Sequence, residues 1–84
     1  MTIPDIIEMF YLYQHEGEKC HIFYFNLIGA LKVADAQNIK RLKIVYPNFV
    51  YVLKLWQAAG EYGDELFKAH NIGRFKDKTV IDVG

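Results

Sequence analysis

The residues of this chain that could do chemistry are three histidines, one cysteine and a few paired acids. Cys20 and His21 are adjacent, and neither belongs to a C-x-x-C, H-x-x-x-H or H-E-x-x-H pattern. Neighbours on a helix point about 100° apart, so the two do not chelate together easily. A Cys-His nucleophilic pair fails for the same reason unless His70 or His15 comes round from elsewhere in the fold. Cys20 lies in an apolar run and reads as a small buried hydrophobe. His15 falls near a helix end, where its charge suits the helix dipole. Gly60-Glu61-Tyr62-Gly63 lacks the lysine and the following helix pattern of a phosphate-binding loop. Asp64 and Glu65 read as a helix N-cap and a first-turn acid. The expectation is therefore a chain with no catalytic residue, no metal and no cofactor, which works by binding.

Binding chemistry has two candidate seats. Lys40, Arg41 and Lys43, with Lys54, are the only charged residues between positions 36 and 60. They form a local basic face on a chain whose ten bases are balanced by ten acids. That balance disfavours a generally basic nucleic-acid binder, but the face itself could touch phosphates. A helix-turn-helix reading of residues 36–59 fails on its second helix, which offers Phe49, Tyr51 and Val52 where the major groove needs Arg, Lys, Gln or Asn. The other seat is apolar. Residues 47–59 hold Phe49, Val50, Tyr51, Val52, Leu53, Leu55 and Trp56 with Lys54 as the only charge, and a helix apolar nearly all round is buried on more than one side. Tyr51, Val52 and Leu55 are expected to be left over for a partner.

The elements that position these residues follow from spacing and caps. Thr2-Ile3-Pro4-Asp5 is a capping box with proline in the harmless first turn. Ile3, Ile6, Ile7, Phe10 and Tyr13 then recur at helical spacing, Met9 and Leu12 add a second stripe, and Gly17 is expected to end the helix in the left-handed conformation. Residues 20–25 are aromatic-rich enough for a strand, but a lone strand has no evident partner, which favours a helix over 22–34. Asp35 caps a third helix with Ile39, Leu42, Val45 and Tyr46 inward. Tyr46-Pro47 must interrupt it, because the residue before proline is pushed out of the helical region, and Pro47 opens the fourth helix. Asp64 caps a short fifth helix with Leu66, Phe67 and His70 inward. Residues 79–83 have strand character. The predicted core is Ile6, Phe10, Leu31, Leu42, Val50, Leu53 and Trp56.

Length and composition bound the rest. Eighty-four residues, 52% apolar and 24% charged, describe one folded domain and not a disordered chain. A chain this size buries only about 60–65% of its unfolded surface, yet it carries six Phe, six Tyr and a Trp. A single cysteine argues for a reducing cytosol over an export route. MTIPDIIEMF has acids where a signal peptide needs bases. The longest run without Asp, Glu, Lys or Arg, Cys20–Leu31, is too short to span a bilayer, so a soluble, cytoplasmic chain with no membrane contact is expected.

Ala34-Asp35-Ala36-Gln37-Asn38-Ile39-Lys40-Arg41-Leu42, followed by Tyr46-Pro47 and then Trp56, resembles the A-D-x-x-N-x-x-R-L…(F/Y)-P…W pattern of small uncharacterised helical proteins encoded by phages and mobile elements. The resemblance covers residues 30–58. It implies a phage accessory protein that occludes a host defence or replication factor. The expectations are thus an all-α bundle of four to five short helices, one domain over residues 1–84, with residues 73–84 open to reading as a flexible tail or a short strand. The expected function is protein–protein interaction, as a host-factor inhibitor, with a second copy of the chain among the candidate partners. The alternative is a nucleic-acid or nucleotide-binding accessory protein using Lys40, Arg41 and Lys43.

Overall fold

In a computed structural model, which describes residues 1–59 and 63–75, the chain folds as an all-α bundle. The helices are α1 (Ile3–His15), α2 (Ile22–Val33), α3 (Ala36–Val45), α4 (Pro47–Ala58) and α5 (Asp64–Ala69). Short 3₁₀ turns at Gly17–Lys19 and Gly73–Phe75 follow α1 and α5. The predicted strand over 79–83 and most of the Gly60–Gly63 turn lie outside the described residues.

The caps explain the boundaries. Thr2 Oγ1 accepts from the Asp5 N–H at 3.2 Å, and Asp5 Oδ2 accepts from the Thr2 N–H at 3.3 Å, which satisfies two amides that a helix start leaves unpaired. Asp35 Oδ1 accepts from the Asn38 N–H at 2.8 Å and opens α3. The cap of α2 is less usual: His21 uses its own ring Nδ1 to accept from the Phe23 N–H at 3.1 Å. Tyr46 sits between two helices, outside the helical region as the following proline requires. Gly17 does not take the left-handed role expected of it. The cap of α1 is Glu16, and Gly17 opens the 3₁₀ turn instead, because the chain must turn tightly there to bring α2 back onto α1.

Helices α1, α2 and α4 pack on one another and hold most of the core: Ile6, Ile7 and Phe10 from α1, Leu27, Ile28 and Leu31 from α2, Phe49, Val50, Val52 and Leu53 from α4. Of the predicted core, Ile6, Phe10, Leu31, Val50 and Leu53 are buried, while Leu42 and Trp56 are half-buried at its margin. Leu42 is marginal because α3 packs mainly on α4 and buries no residue fully. Val45, expected inward, is exposed. Trp56 leans edge-on against Phe10 with centroids 5.2 Å apart, and its Nε1–H donates to Gln14 Oε1 at 2.8 Å.

The last described segment is part of the fold. Leu66, Phe67, Ile72 and Phe75 are all buried, so residues 73–75 do not belong to a flexible tail. His70, expected inward, is exposed, because α5 ends at Ala69 and Asn71 turns the chain with a positive φ of 53°. Asp64 is the first residue of α5 and not its cap; that position falls to Gly63 at φ 70°. Gly63 lies flat on Trp56, where a Cβ would come within 2.0 Å of the indole.

Candidate functional site

The histidines and the cysteine do not converge: His15 is in α1, Cys20 and His21 lie in the connection ahead of α2, and His70 follows α5. His15, in the last turn of α1, meets Asp64 across the bundle, with Nε2 and Oδ1 2.9 Å apart. The other Asp64 oxygen accepts from the Arg74 guanidinium at 3.4 Å. The His15 ring also packs against both Tyr11 and Phe67, at centroid distances of 4.9 and 6.0 Å. An Asp-His pair is the start of a general-base device, but such a device needs a nucleophile on the histidine's other side. Among the described residues none is hydrogen-bonded there. The pair instead ties α1 to α5 and to the turn after it.

Cys20 is buried, and its thiol points to the Met9 carbonyl oxygen at 4.0 Å. Burial pushes the thiol pKa above its ordinary value, the direction of an inert, protonated cysteine. His21 is used up as the α2 cap, and His70 faces solvent. Among the described residues no group of three or more His, Cys, Asp or Glu side chains is placed to hold a metal ion.

The expected interface residues are split by the structure. Tyr51 is exposed, Leu55 is half-buried, and Val52 has no exposed surface at all. Val52 is therefore a core residue and not part of a contact surface. The reason is the position of α4: α1, α2 and α3 all pack on it, so its second apolar stripe is covered. Lys40, Arg41 and Lys43 are all exposed on α3, and among the described residues none has an ion-pair partner. Directly after Lys43 comes Ile44, 82% exposed.

Among the described helices, α2 leaves the most large apolar side chains in water. Only Asn26, Gly29 and Lys32 interrupt its apolar sequence. Leu27, Ile28 and Leu31 turn inward, while Ile22 and Val33 stand 72% and 80% exposed with Phe23 and Phe25 between them. Two grooves flank this face. One, of about 520 Å³, is lined by Gly17, Glu18, Cys20, Ile22 and Phe25 at the N-terminal end. The other, of about 370 Å³, lies between α2 and α3 and is lined by Ala30, Val33, Ala34, Asn38, Arg41 and Leu42.

No protein family, curated protein or solved structure matches the chain. The site therefore rests on its own geometry. Sequence reading passed over α2 as a surface because it looked for surplus apolar area on the fourth helix and asked of residues 22–34 only whether they form a helix or a strand. The signal was present: residues 22–33 are at least as free of charge as residues 47–58, with Lys32 the sole charge in one and Lys54 in the other.

Proposed function

We propose that the chain is a small non-catalytic protein–protein interaction module whose contact surface is the solvent face of α2. The observation that carries this reading is the exposure of Ile22, Phe23, Phe25 and Val33 along one helix beside two grooves. Scattered apolar residues are ordinary on any protein surface. Here Ile22 and Val33 stand on the outer face of the helix, with Phe23 on one flank beside Tyr46 and Phe25 on the other beside Tyr13, and aliphatic side chains edged by aromatics are the composition of an interface centre. The resemblance over residues 30–58 extends the reading to a host factor, inhibited by occlusion. The test is affinity capture from the native host with the parent chain and with I22E/V33E side by side. A partner held by the parent and lost from the variant is expected; equal capture by both would remove α2 from the interaction.

A second reading uses the unpaired cations of α3. Lys40, Arg41 and Lys43 are exposed and free of ion pairs among the described residues, which suits phosphate contacts. Three neutralised phosphates would weaken binding about 40-fold between roughly 50 and 200 mM salt. Docking through the apolar face of α2 would change little over that range. Salt titration of any captured partner separates the two readings.

A further inference from the structure

Alone among the five helices, α3 buries no residue fully. Ile39 and Leu42 are half-buried against the bundle and fix its inner side. At about 100° per residue, Ile44 stands opposite them, at the outer pole of the helix. Lys40 and Arg41 precede it by one turn, one on each side of that pole, and Lys43 and Val45 stand on the two flanks. Burial agrees: all five are exposed, Ile44 at 82% and Val45 at 65%. Met1, also exposed, lines a small groove with Val45 and extends the apolar edge.

The charge around Ile44 is of one sign. Lys40, Arg41 and Lys43 have no ion-pair partner among the described residues. Helix α4, which packs on α3, adds the exposed Lys54 and no acid. Asp35, at the other end of α3, and Asp5, in the first turn of α1, each accept from a backbone amide in a helix cap. The face thus joins a local excess of positive charge to an aliphatic side chain standing in water. Nucleic-acid phosphates would use the cations alone and give Ile44 no apolar phase to enter. The boundary between lipid headgroups and acyl chains takes both, cations at the phosphates and aliphatic side chains beneath them.

We propose that the outer face of α3 seats the protein on an anionic phospholipid bilayer, with Lys40, Arg41 and Lys43 at the headgroups and Ile44 dipped between them. This is a surface contact. No helix among the described residues is long and apolar enough to cross a membrane, and a surface contact needs none. The expectation of no membrane contact rested only on the lack of a spanning run. The proposal is independent of the α2 surface, and it gives the α3 cations a lipid partner in place of nucleic acid. Each cation near such a surface strengthens binding about fivefold, so three give roughly a hundredfold preference for anionic over neutral vesicles.

Co-sedimentation with phosphatidylcholine vesicles, with and without about 30% phosphatidylserine, tests it at about 0.1 M salt. The parent chain is expected to pellet with the anionic vesicles and to stay in solution with the neutral ones. K40Q/R41Q/K43Q should lose about a hundredfold in binding, and I44S, which keeps every charge, about tenfold. Thermal melts of both variants should match the parent, because all four side chains are exposed. A parent that leaves anionic vesicles unbound at about 1 mM lipid overturns the proposal. So does vesicle binding that I44S leaves untouched, since adsorption by charge alone does not use the aliphatic side chain. A duplex oligonucleotide of about 20 base pairs, bound more tightly than anionic vesicles and equally by parent and I44S, gives the cations to nucleic acid and overturns it too. None of these results bears on α2, which is read by capture with I22E/V33E.

Discussion

Replacing Gly73 by alanine should strip the last described turn from the core, at a cost that can be worked out from its surroundings. Gly73 has φ 60° and lies flat against Tyr11, where a Cβ would come within 2.1 Å of the ring. Three losses add. An L-residue in the left-handed region costs about 1 kcal/mol or more. The ring must move, which breaks the bond from the Arg74 N–H to the Tyr11 hydroxyl, 3.1 Å long and partly buried, at about 1 kcal/mol. Tyr11 also stands edge-on to Phe67 with centroids 5.3 Å apart, a pairing that contributes about 0.5–1.5 kcal/mol. The sum is about 3 kcal/mol, a lowering of roughly 12–24 °C in Tm for a domain of this size. Circular dichroism melts of G73A beside the parent give the answer directly. Y11F, which removes only the hydroxyl, should lose about 1 kcal/mol. If G73A melts within a few degrees of the parent, residues 73–75 do not dock as described and the reasoning fails.

Gly29 should behave in the opposite sense: it sits inside α2, a Cβ there would meet Tyr13 at an ordinary 3.7 Å, and G29A is expected to stabilise the monomer by about 0.5–1 kcal/mol in urea titration. Val52 and Tyr51 should separate sharply, V52E unfolding the chain because it buries a charge and Y51E leaving the melt nearly unchanged because Tyr51 is exposed. Replacing Lys40, Arg41 and Lys43 together by Glu should shift stability by only about 0.5 kcal/mol per site at most; a chain unfolded by the triple change would show that these residues are paired inside the structure. The Cys20 thiol, held above its ordinary pKa by burial, carries less thiolate at pH 8 when folded than when unfolded, so alkylation should be slow in the native chain and accelerate in denaturant. Equal rates in both states would mean that Cys20 is not enclosed.

Helix positions were legible in the sequence because they are local. The Thr2–Asp5 box, Asp35 and Tyr46-Pro47 mark boundaries with side chains that act within one turn, and α1, α3 and α4 begin where those signals stand. What was not legible is set by tertiary packing. Gly17 and Asp64 carry the residue types of a helix end and a helix cap, yet the turns they occupy are dictated by where α2 and α5 must dock. The His15–Asp64–Arg74 tie joins residues 49 and 10 positions apart, with no spacing to announce it. Phe75 gave no periodic signal, since one apolar residue among Arg74, Lys76 and Lys78 looks like a tail.

The contact surface itself depends on which apolar helix ends up in the middle. Residues 22–33 and 47–58 both carry more apolar surface than one face needs, and periodicity alone cannot say which surplus is covered. Topology decides. The connection from α2 to α3 is only Ala34-Asp35, and α4 follows α3 after Tyr46 alone, so α3 and α4 form a tight pair in which α3 lies on the outer stripe of α4. With α1 and α2 also packed on α4, Val52 is buried and Leu55 half-buried. That arrangement leaves nothing to cover α2 on the side away from α1 and α4, among the described residues, where Ile22, Phe25 and Val33 are exposed. With α3 in place, the exposed large apolar side chains of the described helices are Ile22, Phe23, Phe25 and Val33 on α2, Ile44 and Val45 on α3 and Tyr51 on α4, so the largest share of the surplus falls on α2.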